Sequence, residues 1–378
     1  MKVGLNLIFM TEQAGGTGTY VRELIPAMLQ SAQAPRLTIF TTRFAPADFR
    51  GAEWAGDVEW VTYPKGPDSR WNLYEIMLGL PPDALRRRLD VIHSPANVGP
   101  LAAPRVAKVV TLRDLIWLHE PERVGDGRLD RFRVRTLSLR AARAADRVLA
   151  FSNAAADDFV STLGMPRDRI DVTPLGTRDA QREVAPAAVD AIRAKLDLGQ
   201  RPVVLCVAQK RPYKGQATLV RALPDLDPDV VLVLAGASDP YERELERLAG
   251  ELGVADRVRI VQWLTDEELE ALYRAATCFV LPSLIEGFGL PVIDAMKRDV
   301  PVGCSNRSAL AEVAGDAALQ FDPEDQAAVT GAVRTLLSDA GLRSRLVEAG
   351  RRRAAEFTWE RTAATTLAAY ERGVAQKR

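Results

Sequence analysis

The sequence predicts an α/β protein made of two doubly wound parallel-sheet domains facing a central cleft. Three observations carry this. Short apolar, β-branched runs alternate with longer helical patterns along the chain. The runs are continuously apolar, as strands covered on both faces require, instead of alternating. The rhythm breaks once, near the middle, and leaves two similar halves.

In the first half the strand-like runs are VGLNLIF, RLTIF, VEWV, DVIH, KVVTL and RVLAF. In the second they are PVVLCVA, VVLVLAG, RVRIVQ, CFVLP and VPVGC. Between them, residues 173–201 hold Pro174, Gly176 and a charged helical stretch, which suits an interdomain connection. The opening MKVGLNLIFM is too short for a signal segment and reads as a first buried strand. The chain contains no apolar run of membrane-spanning length.

Composition excludes several classes. The 378 residues carry 50 Lys+Arg against 50 Asp+Glu, so nothing calls for a nucleic-acid partner. Cys206, Cys278 and Cys304 each lie in or beside an apolar run and read as reduced, buried thiols of a cytoplasmic protein. The two histidines, His93 and His119, make no zinc-ligand pattern and read as structural. Asp227-Pro228-Asp229 imitates a metal-binding Asp-x-Asp but precedes a strand and reads as a turn. The expectation is therefore a protein with no metal and no resident cofactor. Residues 128–147 hold seven arginines, with Arg133, Arg140 and Arg147 placed on one heptad face. That face reads as solvated; the other reading is peripheral contact with an anionic lipid-linked acceptor at the inner face of a membrane.

Ligands of open parallel sheets bind at the carboxyl ends of strands, and three constellations sit there. After the first strand comes TEQAGGTGTYVREL, where Gly15, Gly16 and Gly18 precede a helix. It fits neither G-x-G-x-x-G nor the P-loop, and reads either as a tight turn or as a phosphate loop. After PVVLCVA comes QKRPYKGQATLVRAL, with Lys210, Arg211 and Lys214 crowding a strand-to-helix turn. Cations at a helix N-terminus oppose the macrodipole, which favours a bound polyanion over a solvated charge run. The third is LPSLIEGFGLPVID, from Leu281 to Asp294. Pro291 suits a first helical turn, Gly287 and Gly289 free the preceding backbone, and Glu286 and Asp294 can face one cleft. Carboxylates pair with hydroxyls better than with phosphates, which suggests a sugar or ribose there.

PSLIEGFGLPVIDAM followed by VPVGCSNRSALAEVAGDAALQFDPED resembles the retaining glycosyltransferase family 4 of the GT-B fold. Further stretches, among them GGTGTYVREL, VIHSPANVGPL, TDEELEALYRAATCFVLPS and FTWERTAATTLAAYE, extend the resemblance through almost the whole chain. It implies a Rossmann-like acceptor domain over residues 1–178, a nucleotide-sugar domain over 179–357, and a final helix, about 358–378, returning to the first domain. Glu286 would lie near the donor sugar, and the backbone of Phe288, Gly289 and Leu290 would hold sugar hydroxyls and diphosphate. Asp294 would take the ribose, and Lys214 with Arg211 or Lys210 would clamp the diphosphate. Gln262, Trp263 and Leu264 would flank the base, and Gly16 would approach the donor from the opposite domain.

The sequence departs from the family pattern in three places. Asp294 stands for Glu, Ala208-Gln209 for Gly-Arg or Gly-Thr, and, in TLRDLIWLHEPE, Arg113-Asp114 for His-Asp. Arg113 could read a carboxylate on an anionic donor sugar; its other readings are pairing with Asp114 or Glu120, or contact with the phosphates or an anionic acceptor. The resemblance implies a metal-independent, retaining transfer of a sugar from a nucleotide-sugar donor to an acceptor hydroxyl, in glycan, glycolipid or natural-product synthesis. The alternatives are a sugar-nucleotide-binding protein of the same fold without turnover, and an epimerase or phosphorylase.

Overall fold

The computed structural model describes residues 1–10, 15–64, 69–119, 128–177 and 184–377. Glu120, and the side chain of Arg133, lie outside the described residues. The described chain divides into two compact units. The first runs to Gly176 and takes back Thr358–Arg378; the second is Thr177–Phe357.

The first unit holds a seven-stranded sheet: β1 (Lys2–Asn6), β2 (Arg36–Thr42), β3 (Glu59–Tyr63), β4 (Val91–Ser94), β5 (Ala107–Thr111), β6 (Arg147–Ala150) and β7 (Ile170–Val172). Their spatial order is β3-β2-β1-β4-β5-β6-β7, and every pairing is parallel. The second unit holds β8 (Val203–Val207), β9 (Val231–Ala235), β10 (Val258–Val261), β11 (Cys278–Leu281), β12 (Val302–Ser305) and β13 (Ala318–Phe321). Their order is β10-β9-β8-β11-β12-β13, again all parallel. Both sheets are therefore doubly wound. The order reverses beside β1, where β4 pairs, and beside β8, where β11 pairs; such reversals open crevices at strand ends.

The runs read from the sequence become these strands, and most are buried on both faces, as in β4, β5, β9 and β11. Two strands carry no such signal. β7 is three residues with an Asp at its centre, and β13 is four residues with a Gln. Each closes the edge of its sheet, so pairing comes from one side only. The helices start where short polar side chains cap them: Ser152 for Asn153–Leu163, Thr358 for Trp359–Ala375, and a Thr265/Glu268 capping box for Asp266–Ala275.

One expectation is corrected here. Arg147 does not share a helix face with Arg140, because the helix ends at Ala144 and Arg147 begins β6. Its guanidinium is buried and grips both oxygens of Asp171 at 2.7 Å. Asp227 closes a turn by accepting from the Asp229 N–H at 2.9 Å. The three cysteines are buried and free, and burial pushes each thiol up to about 12.

The helix Trp359–Ala375 is held in the first unit by a polar chain. His93 on β4 is fully buried, with Nδ1 2.7 Å from the Tyr370 hydroxyl and Nε2 2.7 Å from Thr111 Oγ1. A neutral imidazole, one donor and one acceptor, suits two hydroxyls. Burial pushes the His93 pKa down to about 3 from 6.5. The unfolded chain therefore binds a proton here that the folded chain refuses. This contribution to stability is complete above pH 6.5 and is lost as pH falls toward 3, by at most about 1.4 kcal/mol per pH unit. Thermal melts between pH 7 and pH 5 should show a steeper fall for the native chain than for His93→Asn; equal slopes would contradict the assignment.

Candidate functional site

The crevice of the second sheet opens between the ends of β8 and β11. After β8 the chain makes a tight 3-10 turn, Pro212–Lys214, and enters the helix Gln216–Ala222 through Gly215. Gly215 has φ +71, and a Cβ on it would lie 2.2 Å from the Pro282 carbonyl oxygen, just past β11. Only glycine allows that approach. The Leu284 N–H donates to the Tyr213 carbonyl at 2.8 Å, so the two turns are stitched by their backbones.

Side chains complete the stitch. Lys214 Nζ lies 2.6 Å from Glu286 Oε1, and the Ser283 hydroxyl donates to the same oxygen at 2.8 Å. The Ser308 hydroxyl donates to the Glu286 carbonyl at 2.7 Å. Lys214 and Glu286 are 15% and 11% exposed, so the pair is largely shielded from water yet reachable. Past it, Phe288 is buried edge-to-face against Phe357. Gly289 has φ +103 and opens the helix Leu290–Lys297, with Pro291 in the first turn. Phe288 thus packs inward, while Gly287 and Leu290 on either side of the Phe288–Gly289 turn are half-buried. A helix N-terminus beside an ammonium is a place for an anion.

The three cations of the β8 turn have separate fates. Lys214 faces Glu286. Arg211 Nε pairs with Asp239 Oδ2 at 2.8 Å. Lys210 is fully buried: its Nζ donates to the Gly236 and Val261 carbonyls and lies 3.4 Å from Glu242. Burial pulls its pKa down, and Glu242 offsets only part of that. Lys210 therefore ties the ends of β9 and β10 together, and of the two cations read alongside Lys214 only Arg211 stays at the turn. The Gln262 amide donates to Glu242 at 2.9 Å, Trp263 is 75% exposed and Leu264 is half-buried. Asp294 accepts from the Thr177 hydroxyl at 2.5 Å. Beneath it the Arg298 guanidinium grips Glu270 in the core and donates to the Asp294 carbonyl at 2.9 Å.

The first sheet has its own strand-end platform. Asn6, ending β1, donates to Ser94 Oγ at 3.0 Å, which ends β4. Arg113, two residues past β5, donates its backbone N–H to Asn97 Oδ1 at 3.3 Å and its NH1 to Thr17 Oγ1 at 2.6 Å. Thr17 lies in the first turn of the helix Gly15–Leu29, beside Gly16, around whose Cβ position the space is open. Asp114 accepts from the Ile116 N–H at 3.2 Å. His119 pairs with Asp158 at 2.8 Å. Sequence reasoning gave no role to Thr17, Asn97, Thr177, Ser283 or Ser308, although Thr17, Asn97, Ser283 and Ser308 lie inside the stretches that carry the family resemblance. Among the described residues no group of His, Cys, Asp or Glu is arranged to hold a metal ion, and no helix is long and apolar enough to cross a membrane.

Comparison with known proteins agrees with this architecture. The pattern of Glycosyltransferase Family 4 matches residues 14–181 and that of Glycosyl transferases group 1 matches residues 189–353. A GDP-mannose-dependent alpha-(1-6)-phosphatidylinositol monomannoside mannosyltransferase of Mycobacterium tuberculosis is 30% identical over 381 positions, covering 95% of both chains. An MMP alpha-(1->4)-mannosyltransferase of Mycolicibacterium hassiacum is 32% identical over 243 residues, which span 63% of this chain and 56% of that protein. In several such relatives the match likewise spans little more than half of their length. Among solved structures, a sucrose-phosphate synthase from Thermosynechococcus elongatus superposes with a TM-score of 0.78 at 24% identity over the whole of both chains. Anabaena Alr3699/HepE in complex with UDP-glucose gives 0.75 at 19% identity, covering 97% of this chain and 99% of the other. These two likenesses speak for the GT-B fold. The chain belongs to the group 1, family 4 glycosyltransferases.

Proposed function

We propose that the protein transfers a sugar, with retention of anomeric configuration, from a nucleotide-sugar to an acceptor hydroxyl. The observation that carries this reading is the Lys214–Glu286 pair, set beside the N-terminus of Leu290–Lys297 at the reversal of strand order. As the bond between sugar C1 and the β-phosphate oxygen breaks, negative charge grows on that oxygen. Lys214, Arg211 and the backbone N–H groups at Gly289 and Leu290 would stabilise it by electrostatic preorganisation. The acceptor oxygen would attack C1 on the face the phosphate leaves, and its proton would pass to the leaving phosphate. Glu286 would meet the donor sugar's hydroxyls and Asp294 the ribose.

Relatives support the substrate classes. The mycobacterial protein is named as GDP-mannose-dependent and acts on a phosphatidylinositol monomannoside; others are named D-inositol 3-phosphate glycosyltransferases. HepE has been solved with UDP-glucose. These names support a nucleoside diphosphate leaving group and a sugar, lipid-linked or small-molecule acceptor; the cytoplasmic site of action stays an expectation from the sequence. Acceptor-dependent release of nucleoside diphosphate tests the reading, and tight donor binding without any release would favour the binding-protein alternative.

Three outcomes follow from the separate fates of the cations. Lys214→Ala should lower kcat about a hundredfold, equivalent to about 3 kcal/mol of lost charge stabilisation, with folding intact. Near-native turnover in that variant would remove Lys214 from the mechanism. Lys210→Met should instead destabilise the fold by about 3–5 kcal/mol in denaturant titration, because it removes the cation that faces the buried Glu242 and donates to the Gly236 and Val261 carbonyls. Turnover should also persist in EDTA, since protein groups supply the charge; loss restored by Mg²⁺ would overturn that assignment.

A further inference from the structure

We propose that Arg113, with Thr17 and the first turn of the helix Gly15–Leu29, forms a second anion subsite that binds a carboxylate or phosphate carried by one of the sugar substrates. The inference rests on the transferase reading above and assigns a specificity-determining residue to it. The diphosphate is assigned to the second unit; this subsite would take a further anion.

Elsewhere in the chain, buried guanidinium groups are neutralised or donate to several carbonyls. Arg147 is neutralised by Asp171, Arg298 by Glu270, and Arg257 donates to the carbonyls of Val230, Leu223 and Asp227. Arg113 is different. Its Nε is buried without a hydrogen-bond partner, and its side chain's one hydrogen bond among the described residues goes to the neutral Thr17 hydroxyl. A buried donor without a partner costs about 1–3 kcal/mol, more when it is charged. The adjacent carboxylate does not answer it, because Asp114 is turned onto the Ile116 N–H.

The surroundings add to the conflict. Thr17 sits in the first turn of a fifteen-residue helix, where the macrodipole already presents positive charge. A guanidinium held against that turn is unfavourable until an anion lies between them. The Arg113 backbone is anchored there: Asn97 Oδ1 accepts its N–H at 3.3 Å, and the Asn97 N–H donates to the Thr111 carbonyl at 3.1 Å. The place is the strand-order reversal of the first sheet, and the space over Gly16 is open. A guanidinium edge matches two oxygens of a carboxylate or phosphate, whereas an ammonium offers only a point charge.

Calorimetric titrations of the whole chain test this, with native protein, Arg113→Gln and Arg113→Lys. The donor arm compares UDP-glucuronate with UDP-glucose and GDP-mannuronate with GDP-mannose. The acceptor arm compares myo-inositol 1-phosphate with myo-inositol while UDP or GDP saturates the donor site. The native chain should bind the anionic member of at least one pair about tenfold more tightly. Arg113→Gln should erase that preference, Arg113→Lys should keep part of it, and the arm that responds identifies the source of the anion. Equal binding within every pair, or a preference that survives in Arg113→Gln, would overturn the proposal. So would loss of plain UDP and GDP binding in a folded Arg113→Gln, which would place Arg113 on the diphosphate. Failure of the transferase reading looks different: neither UDP nor GDP binds the native chain.

Discussion

The contact between Lys214 and Glu286 is the constraint on which the second unit's site depends. It joins two turns that are 72 residues apart in sequence but adjacent at the reversal of strand order. The approach is possible because Gly215 has no side chain to strike the Pro282 carbonyl, and because Ser283 shares the carboxylate. Two opposite charges held largely out of water are costly unless each has further partners. Here the Ser283 hydroxyl serves the carboxylate, and the Tyr213 ring, its centroid 5.1 Å from the ammonium, serves Lys214. The same solution recurs around the crevice, where Arg211 faces Asp239 and Lys210 faces Glu242. Each cation is matched by a carboxylate, so an incoming diphosphate competes with internal anions instead of meeting bare charge. Such competition favours a group that carries more than one negative charge.

Much of this is legible in the sequence alone. Continuous apolar runs and their alternation with helices gave away two doubly wound sheets, because a strand covered on both faces has no polar side to show. The turns carrying Lys214 and Glu286 were legible because glycine, proline and charge together break the local rules at a strand end. What was not legible has physical reasons. β7 and β13 are edge strands of three and four residues, too short for a periodic signal. Arg147 looked like a helix-face charge because its partner, Asp171, is a neighbour only through strand pairing. Lys210, Arg211 and Lys214 look equivalent in sequence, and only the direction of each side chain separates an internal tie from a surface cation.

Long-range hydrogen bonds set the rest. Arg113 and Thr17 are 96 residues apart, and Thr177 and Asp294 are 117 apart. No local pattern announces either pair. The first unit illustrates the same point with His93, whose two hydroxyl partners come from β5 and from the final helix, 277 residues away in the case of Tyr370. Among the described residues, eight buried side-chain polar atoms lack a hydrogen-bond partner, and Arg113 Nε is the one that belongs to a guanidinium; a charged donor left so is the costliest of them to bury.

The central claim is that Lys214 and Glu286 act as one unit in holding the nucleotide-sugar. A double-mutant cycle on affinity for the preferred one of UDP-glucose and GDP-mannose, using Lys214→Ala, Glu286→Gln and the double variant, measures it most directly. The account predicts a coupling larger than about 1 kcal/mol, because either change frees the partner to move; losses that add within about 0.5 kcal/mol would show two independent residues and contradict it.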